Sequence, residues 1–127
     1  MHDWNLRTVD AKPHQPQILS TTDDARAIVL HLPAGEQMQE HEVHERAWVV
    51  VIEGEIEMST AADGESRSAG AGHLFEFDPH ERHTVTARAD TRLLLLLTPW
   101  PGAGHPGAMT LAEKDEAVAH AADHAQR

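Results

Sequence analysis

Three imidazoles stand where strands can hold them. His41 and His44 lie in the polar run of segment 35–54, GEQMQEHEVHERAWVVVIEG, just ahead of an apolar, β-branched stretch. His83 closes a second segment, 72–83, GHLFEFDPHERH, where a glycine, an apolar stretch and a proline turn precede it. Side chains beside stiff strands keep defined positions, which a metal or ligand site requires. The duplicated plan of glycine, strand, turn and histidine directs His41 and His83 at a common interior.

The elements that must position these groups are short strands. Residues 25–32 (ARAIVLHL) read as a strand stopped by the turn Pro33-Ala34-Gly35. The stretch 47–52 is a second strand, and 55–59 (EIEMS) alternates as a strand with one wet face does. The pair around Glu53-Gly54 reads as a β-hairpin. Asp63-Gly64 is a strong reversal signal leading into 65–68. The stretch 73–77 follows, broken by Asp78-Pro79, and 83–88 (HTVTAR) leads to a turn at Ala89-Asp90. Six residues, RLLLLL, then run to Pro99, too few for a helix in a chain of strands. They read as a strand buried on both faces. Seven or eight short strands at near-regular spacing imply an all-β barrel or sandwich.

The ends differ in kind. Residues 1–24 read as a polar arm lying along the body, with Trp4 as its large anchor. Residues 99–127 begin with a Pro/Gly-rich loop and continue into an alanine-rich, breaker-free segment. There Thr110 and Glu113 form a capping box, which predicts a peripheral C-terminal helix. Its His120 and His124 read as solvated surface residues.

Composition narrows the function. The chain has 127 residues, enough for one domain with a real core, and no cysteine, which excludes disulfides and thiolate metal sites. A formal net charge of -11 argues against nucleic acid and anionic membranes, which need clustered Lys and Arg. No run approaches the roughly 18 apolar residues of a membrane span. The opening MHDWNLRTVD lacks the basic-then-apolar order of a signal peptide, so a cytoplasmic location is expected.

The two histidine segments resemble the paired motifs of the cupin superfamily. The first motif runs glycine, five residues, His-x-His, three or four residues, Glu, six residues, glycine; Gly35, His41 and Gly54 fall in register. Val43 takes the second histidine position, with His44 one residue further on, and Ala47 stands where the glutamate would be. In the second motif Gly72 and His83 fit, while Asp78, His80 and Ala87 replace its proline, glycine and asparagine. The resemblance spans 25–98 and implies a cupin-type double-stranded β-helix, a jelly-roll-like barrel; the C-terminal helix read from the capping box lies beyond it.

For chemistry, the resemblance implies a divalent metal held by His41, His44 and His83, with Glu45 or His80 as a further ligand. Iron, manganese, zinc and nickel all suit imidazole. Such a site would bind a small organic molecule and serve a metal-dependent oxygenase or isomerase. The alternative is a metal-free ligand-binding or sensing barrel without catalysis. Strand alternation puts His41, Val43, Ala47, Val49 and Val51 on the inner face, and His44 outside unless a bulge re-aims it. Trp48, Val50 and Ile52 then form an apolar outer face, which implies a homodimer.

Overall fold

The structure, a computed structural model, describes residues 1–61 and 64–104, and of residues 39–41 the backbone alone. The expected C-terminal helix, with His120 and His124, and the turn residue Asp63 lie outside the described residues. Among the described residues no helix is long and apolar enough to cross a membrane.

Among the described residues nine strands form: β1 Gln17–Thr21, β2 Arg26–Leu32, β3 Gln37–His41, β4 Arg46–Glu53, β5 Glu55–Thr60, β6 Ser66–Gly70, β7 Leu74–Phe77, β8 His83–Ala87 and β9 Thr91–Thr98. One sheet has the order β1-β2-β9-β4-β7, the other β3-β8-β5-β6. All pairings between named strands are antiparallel. The two sheets share a core of Leu30, Leu32, Ala47, Val49, Val51, Ile56, Met58, Phe77, Val85, Leu93 and Leu97, among others. This is the all-β barrel that the strand pattern predicts, in the double-stranded β-helix form that the resemblance implies.

The leucine run is β9, a central strand hydrogen-bonded to β2 on one side and β4 on the other. Leu93 and Leu97 are buried, whereas Leu94 and Leu96 on the opposite face are half-buried. On β4, Ala47, Val49 and Val51 are buried and Trp48, Val50 and Ile52 half-buried, as alternation predicts. The alternation does not run back to residue 41, because residues 42–45 leave the strand between β3 and β4.

The expected hairpin at Glu53-Gly54 does not form. β4 pairs with β7 and β9, whereas β5 pairs with β6 and β8 in the other sheet. Gly54 is instead the corner at which the chain changes sheets. Its φ of +99° suits glycine, and a Cβ there would lie 2.7 Å from the Thr91 Cα. A true hairpin follows at β5–β6, with Gly64 at φ +67° in its connection.

Two strands lie where the sequence shows no alternation of apolar and polar residues. β1 falls inside the expected arm and β3 inside the first histidine segment. Both sit at sheet edges, where one side of the ladder faces no partner strand and hydrophobic alternation is not required. The remainder of the arm is held by its backbone. Arg92 Nη1 donates to the carbonyls of Leu6 (3.2 Å) and Val9 (2.6 Å), and His14 N donates to His31 O (3.0 Å). Trp4 is 42% exposed and stacks on His2, so it does not anchor the arm.

Gly54→Ala places a side chain both at a disfavoured φ and against the β9 backbone, so the loss should exceed the about 1–2 kcal/mol of a left-handed non-glycine residue. Gly35, at φ +84° with open space around its Cβ position, supplies the control. Urea unfolding is expected to show Gly54→Ala losing at least twice as much stability as Gly35→Ala.

Candidate functional site

His83 begins β8 on the same face as Val85 and Ala87, and all three are buried. Its ring lies flat against Phe77, 4.0 Å between centroids and 10° between planes. Phe77 ends β7 in the opposite sheet, so this stack joins the two sheets at one end of the core. His83 Nδ1 is 3.2 Å from the carbonyl of Glu81. A carbonyl only accepts, so this bond requires Nδ1 to carry hydrogen, and in the neutral ring Nε2 is then the nitrogen with the lone pair. The same tether fixes the ring about its axis. Metal-ligating histidines are commonly oriented in this way, and so are histidines that accept a hydrogen bond from a ligand.

His41 lies directly opposite His83 in the β3–β8 ladder, just after an irregularity between Met38 and His41. Thr60 is the neighbour of His83 on the other side, in β5. The backbone thus brings the two motif histidines to one rung; the His41 side chain lies outside what is described.

His44 has other neighbours. Its ring meets His80 edge-on at 5.0 Å and 87°. The turn carrying His80 is docked there by His80 N donating to Val43 O (2.8 Å), and His80 adopts φ +67°. Glu42 receives His80 Nδ1 at 3.3 Å and Arg82 Nη2 at 3.3 Å. Glu42, His44, His80 and Arg82 therefore form a polar cluster beside the strand ends.

Glu45 is the unexpected member. It is 1% exposed, and its Oε2 accepts the backbone N–H of Gly102 at 2.7 Å. Gly102 has no room for a side chain: a Cβ there would lie 2.6 Å from His44 O and 3.0 Å from Glu45 Cγ. Residues 98–104 thus cross the β3–β4 connection as a strap, with Gly104 beside the His44 ring. Within the strap Trp100 packs on the core, and the Arg26 guanidinium lies 3.9 Å above its ring centroid. His80 and Glu45, expected as auxiliary ligands, are both engaged by these neighbours.

Among the described residues no group of three His, Asp or Glu side chains is placed to hold a metal ion. Phe77, Trp100, Gly102 and Arg26 go unnoticed in the sequence. For Arg26 alone a signal existed, since it shares the parity of the inward-facing Ile28, Leu30 and Leu32.

With this geometry, comparison with known proteins places the chain in the cupin family: the model of the Cupin domain matches residues 28–99. KdgF from Halomonas sp. is similar at 26% identity and TM-score 0.61, over 77% of this chain and 88% of that one. An RmlC-like cupin protein from Desulfovibrio desulfuricans shares 20% identity at TM-score 0.69, over 78% and 97% of the two chains. An uncharacterized conserved protein with a double-stranded β-helix domain from Klebsiella pneumoniae shares 18% at TM-score 0.69, over 81% and 94%. No protein of curated function matches the chain.

Truncating Glu45 orphans a buried N–H and opens space in the packed connection. Glu45→Ala is expected to lower stability by about 2–4 kcal/mol. Glu45→Gln keeps an acceptor oxygen and is expected to lose less than half of that. Equal losses in chemical denaturation would show that the bond to Gly102 does not fix the strap.

Proposed function

We propose that this cupin barrel is a binding module for a small organic molecule, with His83 as the recognising group of its interior. One observation carries the proposal. His83 is a buried imidazole whose ring is fixed by a stack on Phe77 and whose tautomer is fixed by Glu81 O, so Nε2 can accept a hydrogen bond from a ligand. Ala47, where the resemblance expects an acidic ligand, adds no competing charge and occupies little volume. This function needs no metal and no reaction.

A second reading keeps a divalent metal between His41 and His83, with His44 drawn in as a third ligand. The shared rung of the two motif histidines favours it, as does the carbonyl tether on His83. No reaction is assigned to that metal.

We also propose that two copies of the chain pair through the outer face of the larger sheet. Trp48, Val50 and Ile52 are half-buried there, and Leu74, paired with Val50, is 54% exposed. The arm is fastened to the β2–β9 side through Arg92 and His31, away from Leu74. An exposed apolar surface of this kind is what an interface requires.

Two measurements test the site. A thermal-shift screen of small sugars, organic acids and amino acids is expected to raise the Tm of the wild type for at least one compound. His83→Gln should not respond to that compound; an equal response rules His83 out. Metal analysis of protein purified without a histidine tag decides between the readings. About one ion per chain, with a Tm that falls on chelation, replaces the metal-free reading with the second. For the assembly, light scattering is expected to show a dimer that Val50→Asp converts to monomer or precipitate, because it buries a carboxylate in an apolar contact. A monomeric wild type at micromolar concentration would rule the pairing out.

A further inference from the structure

We infer that the barrel mouth binds its ligand by a carboxylate, taken by Arg26; this rests on the small-molecule reading above. The chain carries 21 acidic residues, and its barrel arginines use them. Arg46 is bonded to Glu76 (2.7 Å) and Asp78 (2.8 Å), Arg67 to Glu65, Arg82 to Glu42, Arg88 to Glu57, and Arg92 to Glu53. Among the described residues Arg26 is the one strand arginine with no carboxylate partner. In so acidic a chain an unpaired guanidinium needs a reason.

Its placement supplies one. Arg26 opens β2 on the inner face, in line with Ile28, Leu30 and Leu32. Across the larger sheet it is in register with Leu97, then Ala47, then Phe77. Phe77 carries the His83 stack, so arginine and imidazole stand at the two ends of one row. Ala47, between them, is the smallest residue of that row.

The guanidinium is also held in advance. Trp100 supports its flat face, and Nε donates to Thr21 Oγ1 at 3.1 Å. The two terminal nitrogens have no acceptor among the described residues. A guanidinium supported on its face and along one edge presents the remaining fork to a planar, bidentate acceptor, and a carboxylate has that geometry. With a net charge of -11 the rest of the surface repels anions, so a local cation selects where one can settle. Glu45 contributes at one remove. It is a positioning residue that fixes the strap at Gly102, two residues from Trp100.

The probes are acetate, pyruvate, malonate and succinate, each compared with its amide, together with inorganic phosphate. Binding is measured by calorimetry, and the Arg26 Nε–H and His83 ring signals are followed by NMR. At least one of the four carboxylates is expected to bind and move the Arg26 signal. Its amide should bind roughly ten- to hundredfold more weakly, the scale of a lost charged hydrogen bond. Arg26→Gln should weaken the carboxylate similarly, and Arg26→Lys should fall between. The carboxylate and amide comparison uses wild-type protein, so it stands even if a variant misfolds. Equal binding of acids and amides overturns the inference, as does failure of all four acids to move the Arg26 signal. Phosphate binding tighter than every carboxylate overturns it as well. A neutral compound that moves His83 and ignores Arg26 would sink the carboxylate while leaving the small-molecule barrel intact. A carboxylate that moves Arg26 and leaves His83 unchanged would sink the His83 reading instead.

Discussion

The seat of β9 between β2 and β4 is the constraint from which most other features follow, because a strand bonded along both edges cannot shift register on one side without breaking the other. Its pairings run continuously from Arg26–Leu97 to Leu32–Thr91 on one side and from Arg46–Thr98 to Val51–Leu93 on the other. A slip of one residue would turn Leu93 and Leu97 out of the core and expose them. β9 is also the last strand among the described residues, and both partners lie far back in the chain, so its place in the larger sheet is closed through non-local pairing. Thr91 at its start packs beside Gly54, the corner where the chain changes sheets. The strap leaves from its end and reaches Glu45 and Arg26. β9 therefore sets both ends of the barrel.

Sequence pattern reveals the elements that bury a face and misses those that do not. β2, β4, β5, β8 and β9 each carry apolar residues at every second position, or throughout, and a period of two is readable in one sequence. β1 and β3 are edge strands defined by backbone pairing, and QILST and QMQEH contain no such period. The corner at Gly54 shows a different limit. Glu-Gly between two alternating runs fits a hairpin and a sheet-to-sheet corner equally well. The choice is made by Asp90 and Thr91, distant residues that press on Gly54.

At the site, the motif positions His41 and His83 were legible because they are fixed by distance along the chain from a glycine and a turn. What surrounds them was not. Phe77 reads as an ordinary core residue until β7 and β8 are placed so that its ring covers His83. His44 and His80 meet through a turn at residue 80 with a left-handed backbone, which no spacing rule anticipates. The fold is retained although Val43, Ala47 and Ala87 depart from the motifs. It depends on the glycine corners and inward apolar residues, which are present, and not on the ligand positions, which have changed.

Glu45 shows how the two sets of requirements meet. A carboxyl group at 1% exposure gives up hydration, and one hydrogen bond from Gly102 returns only part of that loss. An apolar residue of similar volume would fill the space with less penalty, but it would leave the Gly102 N–H buried without an acceptor. Buried polar contacts of this kind fix one geometry more than they add stability. The geometry fixed here is that of the strap: Gly102 seated against His44 O, Gly104 beside the His44 ring, and Trp100 inside the barrel end under Arg26. A flexible loop in the same place would leave the Arg26 guanidinium free to seek one of the chain's many carboxylates. Held under its tryptophan face by the strap, it stays on the inner row, in line with Ala47 and Phe77.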